Sequence, residues 1–558
     1  MRYRSIFLTA VAAVGILWSG SAQEHKRVEV TTIYNPEIAT AEKLAAPASI
    51  DDTPVMEPEI NYYVVPETWQ ITLADHNFRP ATASYWDFDR ARKFFARVGV
   101  GYELGSDVAL SYLTQNKRLG YGGFSVEHNG MFARKRSAEG VLRPISRSYD
   151  MDNHVAASGG LFVGRYMLEG VFDYHNDIYN RYAEVVAPAR LYSNDAALTI
   201  RFGDDFVDLS RINFAVMLNG GYWHHELADG LSDGNIAAEY RFGGDVRVAR
   251  SFEGNKVEIM GGYDMVRGLR LYDYGNTRFQ VGVGYGRKFG FVAVDASVGY
   301  MYDKVRNLGK ASHYVMPRVN VQFDFGLTEV VPYVEVDTKV ARNSLSHLYR
   351  VNPYIDFEGV YDRLFALPNT LSYNVAVGVK GTAFSSRLSY HAYVGADFMR
   401  DKLMWYITTP GCFGVHADQL SRVLLGAEVM YKPVGGLDIT ATVYGHIDFT
   451  ESPYVTNEPR FNAELKARYT LRRLAFYVGC EAIGKRMWSY RMVEGGVTPD
   501  DFVSRQAFDL RAGVSFRATK RIEAYVDVYN ILNDRDIYDY AFYYRNGVGF
   551  MAGAKFNF

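Results

Sequence analysis

Cysteine is almost missing from this chain: 558 residues hold two, Cys412 and Cys480. Two thiols are too few for a disulfide scaffold or a zinc ribbon. Neither charge dominates, with 61 Lys+Arg against 63 Asp+Glu, so the basic face of a nucleic-acid binder is lacking. Beyond the first residues no apolar run approaches the roughly 20 residues of a transmembrane helix, and mean hydropathy is −0.16. That excludes a helical membrane bundle. Nucleophile and metalloprotease signatures are absent too, with no Gly-x-Ser-x-Gly and no His-Glu-x-x-His, so we read no enzyme and no cofactor. Proline is sparse at 17, while 43 Tyr, 34 Phe and 51 Gly stand in excess. Aromatics and glycine without long apolar runs point to a β-rich chain with one wet and one greasy face.

The N-terminal 22 residues read as a signal peptide. Arg2 and Arg4 precede an apolar stretch, Ile6 to Trp18, too short to span a bilayer, and Gly20-Ser21-Ala22 sets cleavage before Gln23. The expectation is export, with no lipid-anchor cysteine nearby.

From residue 94 onward the dominant period is two. Leu437, Ile439, Ala441, Val443, Ile447 and Phe449 fall on one face, with Asp438, Thr440, Thr442, Tyr444, His446 and Asp448 on the other. Val315 to Phe325, Leu388 to Phe398 and Phe461 to Tyr469 alternate in the same way. Such runs reach ten residues or more, against about five or six in soluble sheets, and their polar face carries full charges. A soluble sandwich or propeller fits this less well than a wall between lipid and water. The predicted fold is all-β: a large closed antiparallel transmembrane β-barrel in the outer membrane of a Gram-negative cell, facing outer-membrane lipid.

Short turn signals number the strands. They fall at Lys117-Arg118, Gly164-Arg165, Gly203-Asp204, Gly254-Asn255, Lys288-Phe289-Gly290, Gly326-Leu327-Thr328, Ser385-Ser386, Pro433 to Gly436, Leu471-Arg472 and Thr519-Lys520. Taken as periplasmic turns, they separate eleven hairpins, or about 22 strands. The longest external loops are expected near 130–150, 178–194, 343–369 and 400–420, which leaves Cys412 in a loop and Cys480 facing lipid. Aromatics at strand ends, such as Tyr300, Tyr302, Phe449 and Tyr469, would form the interfacial girdles. Residues 23–93 differ. Six prolines, an acidic cluster from Asp51 to Glu59 and no clean periodicity predict an extended periplasmic or lumenal segment, with one short strand at Val28 to Tyr34.

The C-terminal end is similar to a known family. Ile522 to Asn533, ending Asn530-Ile531-Leu532-Asn533, resembles the penultimate strand of TonB-dependent receptor barrels. Gly547 to Phe558 resembles their closing strand, with a terminal Phe. The resemblance implies a barrel of about 22 strands and a terminal signal, Phe550, Phe556 and Phe558, read by the barrel-assembly machinery. Arg27-Val28-Glu29-Val30-Thr31-Thr32 is vaguely similar to the segment that pairs with TonB. The family carries a plug domain of well over a hundred residues, whereas only the short 23–93 segment precedes this barrel, without the plug's Gly-rich motifs.

Two surface stretches stand out. Tyr538, Tyr540, Phe542, Tyr543 and Tyr544, in the last external loop, suit stacking on a ligand or partner, or a girdle running into a loop. Trp223-His224-His225-Glu226 reads as a solvated strand end, because adjacent His side chains on a strand point opposite ways. Lumenal charges such as Asp438, His446, Asp448, Glu464, Lys466, Arg468, Glu523 and Asp527 are expected to pair along the wall. The functional expectation is ligand or nutrient uptake, with 23–93 as a reduced plug inserted most deeply at Asn61 to Phe78. The alternative is a scaffold barrel that binds a surface lipoprotein or assembly partner and transports nothing.

Overall fold

A computed structural model describes residues 93–558 apart from 103–104, 117–118, 134–147, 181–189, 228–236, 271–273, 356–367, Val455, 493–499 and Asn546. The expectations for 1–92, namely the signal peptide, the short strand, the TonB-like stretch and the reduced plug, lie outside the described residues.

One 24-stranded sheet, antiparallel but for one short parallel pairing of Tyr406-Ile407 with Ser489-Tyr490, closes on itself. Two of its strands, Met487–Tyr490 and Phe502–Val503, are short additions at one rim. The remaining 22 form the wall, β1 (Phe94–Tyr102) to β22 (Gly549–Asn557), each paired with its sequence neighbours. β22 meets β1 in register from Phe95↔Asn557 to Tyr102↔Phe550. Beyond the ladder, Phe94 and Phe558 exchange both backbone hydrogen bonds, at 3.0 and 2.8 Å. Closure leaves no edge, so the wall's backbone groups are satisfied inside a bilayer. At this seam Gly99 lies opposite Gly553. The ring of Tyr525, from β21 (Ile522–Tyr529), crosses both glycines so that its hydroxyl donates to Asp107 at 3.2 Å. A Cβ at Gly99 would overlap the Tyr525 hydroxyl, and one at Gly553 the Cζ end of its ring.

Nine of the ten expected turns separate strands at the end of the barrel that holds Phe558, and the tenth, Lys117-Arg118, lies outside the described residues. The two faces are as the alternation requires. Val443, Ile447 and Phe449 are 36, 63 and 48% exposed on the outer wall. The inner wall is ion-paired: Arg201–Glu169 at 2.7 Å, Arg278–Asp264 at 2.9 Å, Arg318–Asp337 at 2.8 Å and Lys555–Glu523 at 3.3 Å. Lys432–Asp438 and Lys466–Glu464 pair as well. Exposed aromatics such as Phe279, Tyr300, Phe449 and Tyr469 form girdles.

One expectation is overturned. Residues 400–420 are no loop. β15 (Leu388–Thr409) and β16 (Cys412–Tyr431) run 22 and 20 residues and rise well above their neighbours, joined by Pro410-Gly411, with Gly411 at φ 85°. Cys412 is therefore a buried strand residue rather than a loop residue. The polar residues of this stretch suggested a loop; they are the water-facing half of a strand pair that has left the membrane. Cys480 shares a face with exposed Phe476 and Val478 and is a free thiol.

The family-like Asn530 to Asn533 turn has a local cause. Asn530 and Asn533 hold φ of 46° and 54°, a region Asn tolerates better than most residues. The Asn530 carboxamide clasps Asp534, donating to its carbonyl at 2.8 Å and accepting from its N–H at 2.9 Å.

Candidate functional site

The external mouth is where the described loops meet. Its first component is a short helix, α1 (Leu345–Val351), within the long loop after β13 (Val331–Ala341). Ser344 caps it, its hydroxyl accepting from the His347 N–H at 3.4 Å, the usual work of a Ser at that position. The helix is pinned to the inner wall. Ser346 and Tyr274 both donate to the buried carboxylate of Glu239. Arg241 donates to Ser346 at 3.1 Å and pairs with Asp195, which Arg350 also reaches at 3.1 Å.

From α1 a chain of rings crosses the mouth. Tyr349 stacks on His225 at 4.2 Å and lies 5.3 Å from Trp223, both on β7 (Asn213–Leu227). Tyr354 follows, stacked on Tyr543 at 3.5 Å and edge-on to Tyr540 at 5.3 Å. Phe542 and Tyr538 then pack on Phe502, at 5.0 and 5.3 Å, and Phe502 on Trp488 at 5.5 Å. The tip of the tall hairpin contributes Trp405, Ile407, Phe413 and Val415 to the same cluster. Hydrogen bonds fix the parts: Tyr543 Oη to the Gly411 carbonyl at 2.7 Å, Tyr540 Oη to the Val351 carbonyl at 2.8 Å, and Phe413 N–H to the Tyr354 carbonyl at 3.0 Å. Because β7 is seven strands from β22 and eight from β21 around the wall, these contacts run through the mouth rather than along the rim. This is a protein core of the soluble kind, assembled from loops.

Charge surrounds it. Arg545 reaches Asp539 at 3.1 Å, Asp509 at 3.4 Å and Glu481 at 3.5 Å. Arg422 forks onto Asp448 at 2.6 and 3.1 Å and onto Glu458, which Lys402 also holds at 3.0 Å. Burial would raise the Glu458 carboxyl, but Lys402 and Arg422 overcome it and hold it at about 2. Burial, with the cations Arg350 and Lys402, lowers the His347 imidazole. Burial together with Asp539 pushes Tyr540 up to about 12, and burial with Tyr538 does the same for Tyr544. Both phenols stay neutral, and Tyr540 donates to the Val351 carbonyl.

The five aromatics singled out in the last loop are all here. Tyr538, Phe542 and Tyr543 are buried; Tyr540 and Tyr544 are partly exposed. Of the Trp223 to Glu226 stretch, Trp223 and His225 prove to be buried under α1 rather than solvated, while Glu226 is exposed as expected. His224 points the opposite way, as expected of a strand. Among the described residues no group of three or more His, Cys, Asp or Glu is placed to hold a metal ion. Sequence reasoning missed α1 and the hairpin tip. Leu345, Leu348 and Tyr349 at helical spacing were the available signal, too short to be read inside a loop.

No protein-family model and no curated protein matches the chain. Solved structures do. The FpvA receptor of P. aeruginosa, in complex with iron and a heterologous pyoverdine, matches at a TM-score of 0.63 and 12% identity, over 84% of this chain and 72% of FpvA. The FrpB iron transporter from Neisseria meningitidis matches at 0.64 and 12%, over 84% and 82%. The copper transporter OprC matches at 0.61 and 12%, over 84% and 81%. The chain thus has the 22-strand outer-membrane barrel fold of TonB-dependent receptors.

Proposed function

We propose that this chain is an outer-membrane uptake barrel of the receptor type, which takes a ligand from outside through its lumen, with residues 23–93 as a reduced plug. The observation that carries this reading is the pairing of a wide, ion-paired lumen with a mouth closed by packed loops. A barrel of 22 strands encloses far more space than its own side chains fill. An unobstructed hole of that width would leak, so closure and regulated opening belong together. The structural neighbours named above, FpvA with its iron–pyoverdine complex, an iron transporter and a copper transporter, support a metal-bearing cargo as the first class to test. TonB would supply the energy, and the segment near Arg27 to Thr32 is where it would engage.

The test is a deletion strain grown with iron, copper or a carbon source limiting in turn. Growth loss under one limitation, restored by the full chain but not by one lacking residues 24–90, supports uptake through a plugged barrel. Normal growth under each sinks it.

The depth of the cap's packing favours a second reading, a scaffold barrel whose mouth stays shut and which holds a surface lipoprotein. Co-purification of such a partner at a fixed ratio, with no uptake phenotype, would select it.

A further inference from the structure

The outer wall is not uniform around the barrel. Measured eight to twelve residues up from the periplasmic turns, outward positions on most strands are aromatic or aliphatic and exposed: Tyr102, Tyr263, Phe279, Tyr300, Phe398 and Ile447. That is the upper girdle. Over six consecutive strands polar side chains enter it, beside Tyr174 and the exposed Tyr222 on the same parity. β2 (Gly105–Asn116), β3 (Gly120–Ala133), β4 (Ser148–Val163), β5 (Tyr166–Asn180), β6 (Arg190–Gly203) and β7 present Ser106, His128, Asn153, Asn176, Asn194 and His224 there. The parity is fixed by exposed outward neighbours on the same faces, Phe124, Leu161, Phe172, Leu198 and Leu218.

These six side chains form one hydrogen-bonded ladder along the outside of the wall. Ser106 Oγ lies 2.9 Å from His128 Nε2, and His128 Nδ1 lies 2.7 Å from Asn153 Oδ1. Asn153 Nδ2 donates to Asn176 Oδ1 at 3.1 Å, and Asn176 Nδ2 to Asn194 Oδ1 at 2.8 Å. Asn194 Nδ2 ends the row 3.1 Å from His224 Nε2. Below the ladder the same strands expose glycine: Gly122, Gly159, Gly170 and Gly220 all lie on the outward parity, and a Cβ at Gly170 would meet nothing within 4 Å.

We propose that this face, β2 to β7, is where a second copy of the chain docks wall to wall. Three features support that occupant over acyl chains. Small residues that let backbones approach, combined with Asn and His as polar contacts, are how transmembrane helices pack on one another, and this wall offers the same two elements. A carboxamide is donor and acceptor at once, so a row of asparagines is complementary to itself, as a two-fold interface requires. Six strands about 4.8 Å apart under an apolar band about 25 Å tall give about 600 Å² of flat wall. That is the order of the roughly 800 Å² per partner in a stable interface. A two-fold axis would pass between β4 and β5, bringing Asn153 and Asn176 close to their own copies.

The full chain, extracted from membranes in mild detergent, is weighed by light scattering beside the triple variant Asn153→Leu, Asn176→Leu, Asn194→Leu. The expected masses are two chains for the first and one for the second, with both still heat-modifiable and therefore folded. In cells, Asn176→Cys on a Cys480→Ser background should form an intermolecular disulfide. Val423→Cys, on the outer face of β16 across the barrel, should not. Three results overturn the proposal: a single-chain mass with no Asn176→Cys disulfide, equal cross-linking from Val423→Cys, or a two-chain mass that the leucine substitutions leave intact. A face occupied instead by glycolipid or a different protein gives the first of these.

Discussion

The wall and the cap of this protein are built on opposite logics. In the wall, apolar side chains point out and charges point in: Val443 faces lipid while Asp448, Arg422 and Glu464 face water. In the cap, Trp488, Phe413, Ile407 and Tyr543 are turned inward, at 0 to 3% exposure, and the charges ring them. The solvent decides. Lipid removes the hydrophobic drive for burial, so the wall is held by backbone pairing and by cross-strand ion pairs such as Arg318–Asp337. Above the membrane, water restores that drive, and loops that would be mobile elsewhere gain by packing rings together. The same chain changes strategy within β15 and β16, whose lower halves are wall and whose upper halves are cap.

The two regions should fail differently. Removing Phe558 takes away its backbone pair with Phe94, and changing it to Lys takes away its ring contact with Phe94; both remove the terminal aromatic expected to be the assembly signal. The expected outcome is near-complete loss of heat-modifiable barrel from the outer membrane, with cap and wall lost as one. Within the cap, Trp488→Ala should cost about 3–5 kcal/mol, as for large aromatics in cores. Its effect should stay local: external protease nicks at 484–506 and 530–548 while the barrel remains folded. Within the wall, Val443→Arg should cost about 2–4 kcal/mol, because it faces lipid near mid-height, while Thr442→Arg, one residue along and facing the lumen, should cost much less. Equal losses for the two would contradict the assigned faces.

A smaller effect comes from pH. His347 has its folded value below the ordinary one, so its contribution is complete above about pH 6.5 and is lost as pH falls through the folded value. Glu458 is likewise lowered, so its support, complete above about pH 4.5, is lost progressively as pH falls from there to about 2. Protease accessibility of the cap should therefore rise modestly on acidification below pH 6.5, and His347→Leu should flatten that step.

How much of this was legible in the sequence follows from period and length. The wall was readable because every strand repeats one rule over ten or more residues. Turns such as Gly254-Asn255 and Leu471-Arg472 interrupt it cleanly, so both the faces and the strand count followed. The closing strand was readable from Phe550, Phe556 and Phe558. The cap was not, because its core is assembled from pieces each too short to carry a period: seven residues of α1, a hairpin tip, and Tyr538 to Tyr544. That last group was noticed for its aromatics. Nothing in their local spacing says that Tyr543 finds Tyr354, almost two hundred residues away. The same limit hid the Ser106 to His224 ladder, whose members lie on six strands and become neighbours only through register.

The central claim, that the external loops fold into a core, is tested most directly by hydrogen exchange on the protein in membranes. The amides of Phe413, Arg491 and Arg545 donate to the carbonyls of Tyr354, Ile407 and Ile537 at 3.0, 2.9 and 2.8 Å. They should exchange orders of magnitude more slowly than free peptide and be released together by Trp488→Ala. Exchange of all three at the rate of an unstructured loop, in the wild-type protein at neutral pH, would contradict the account.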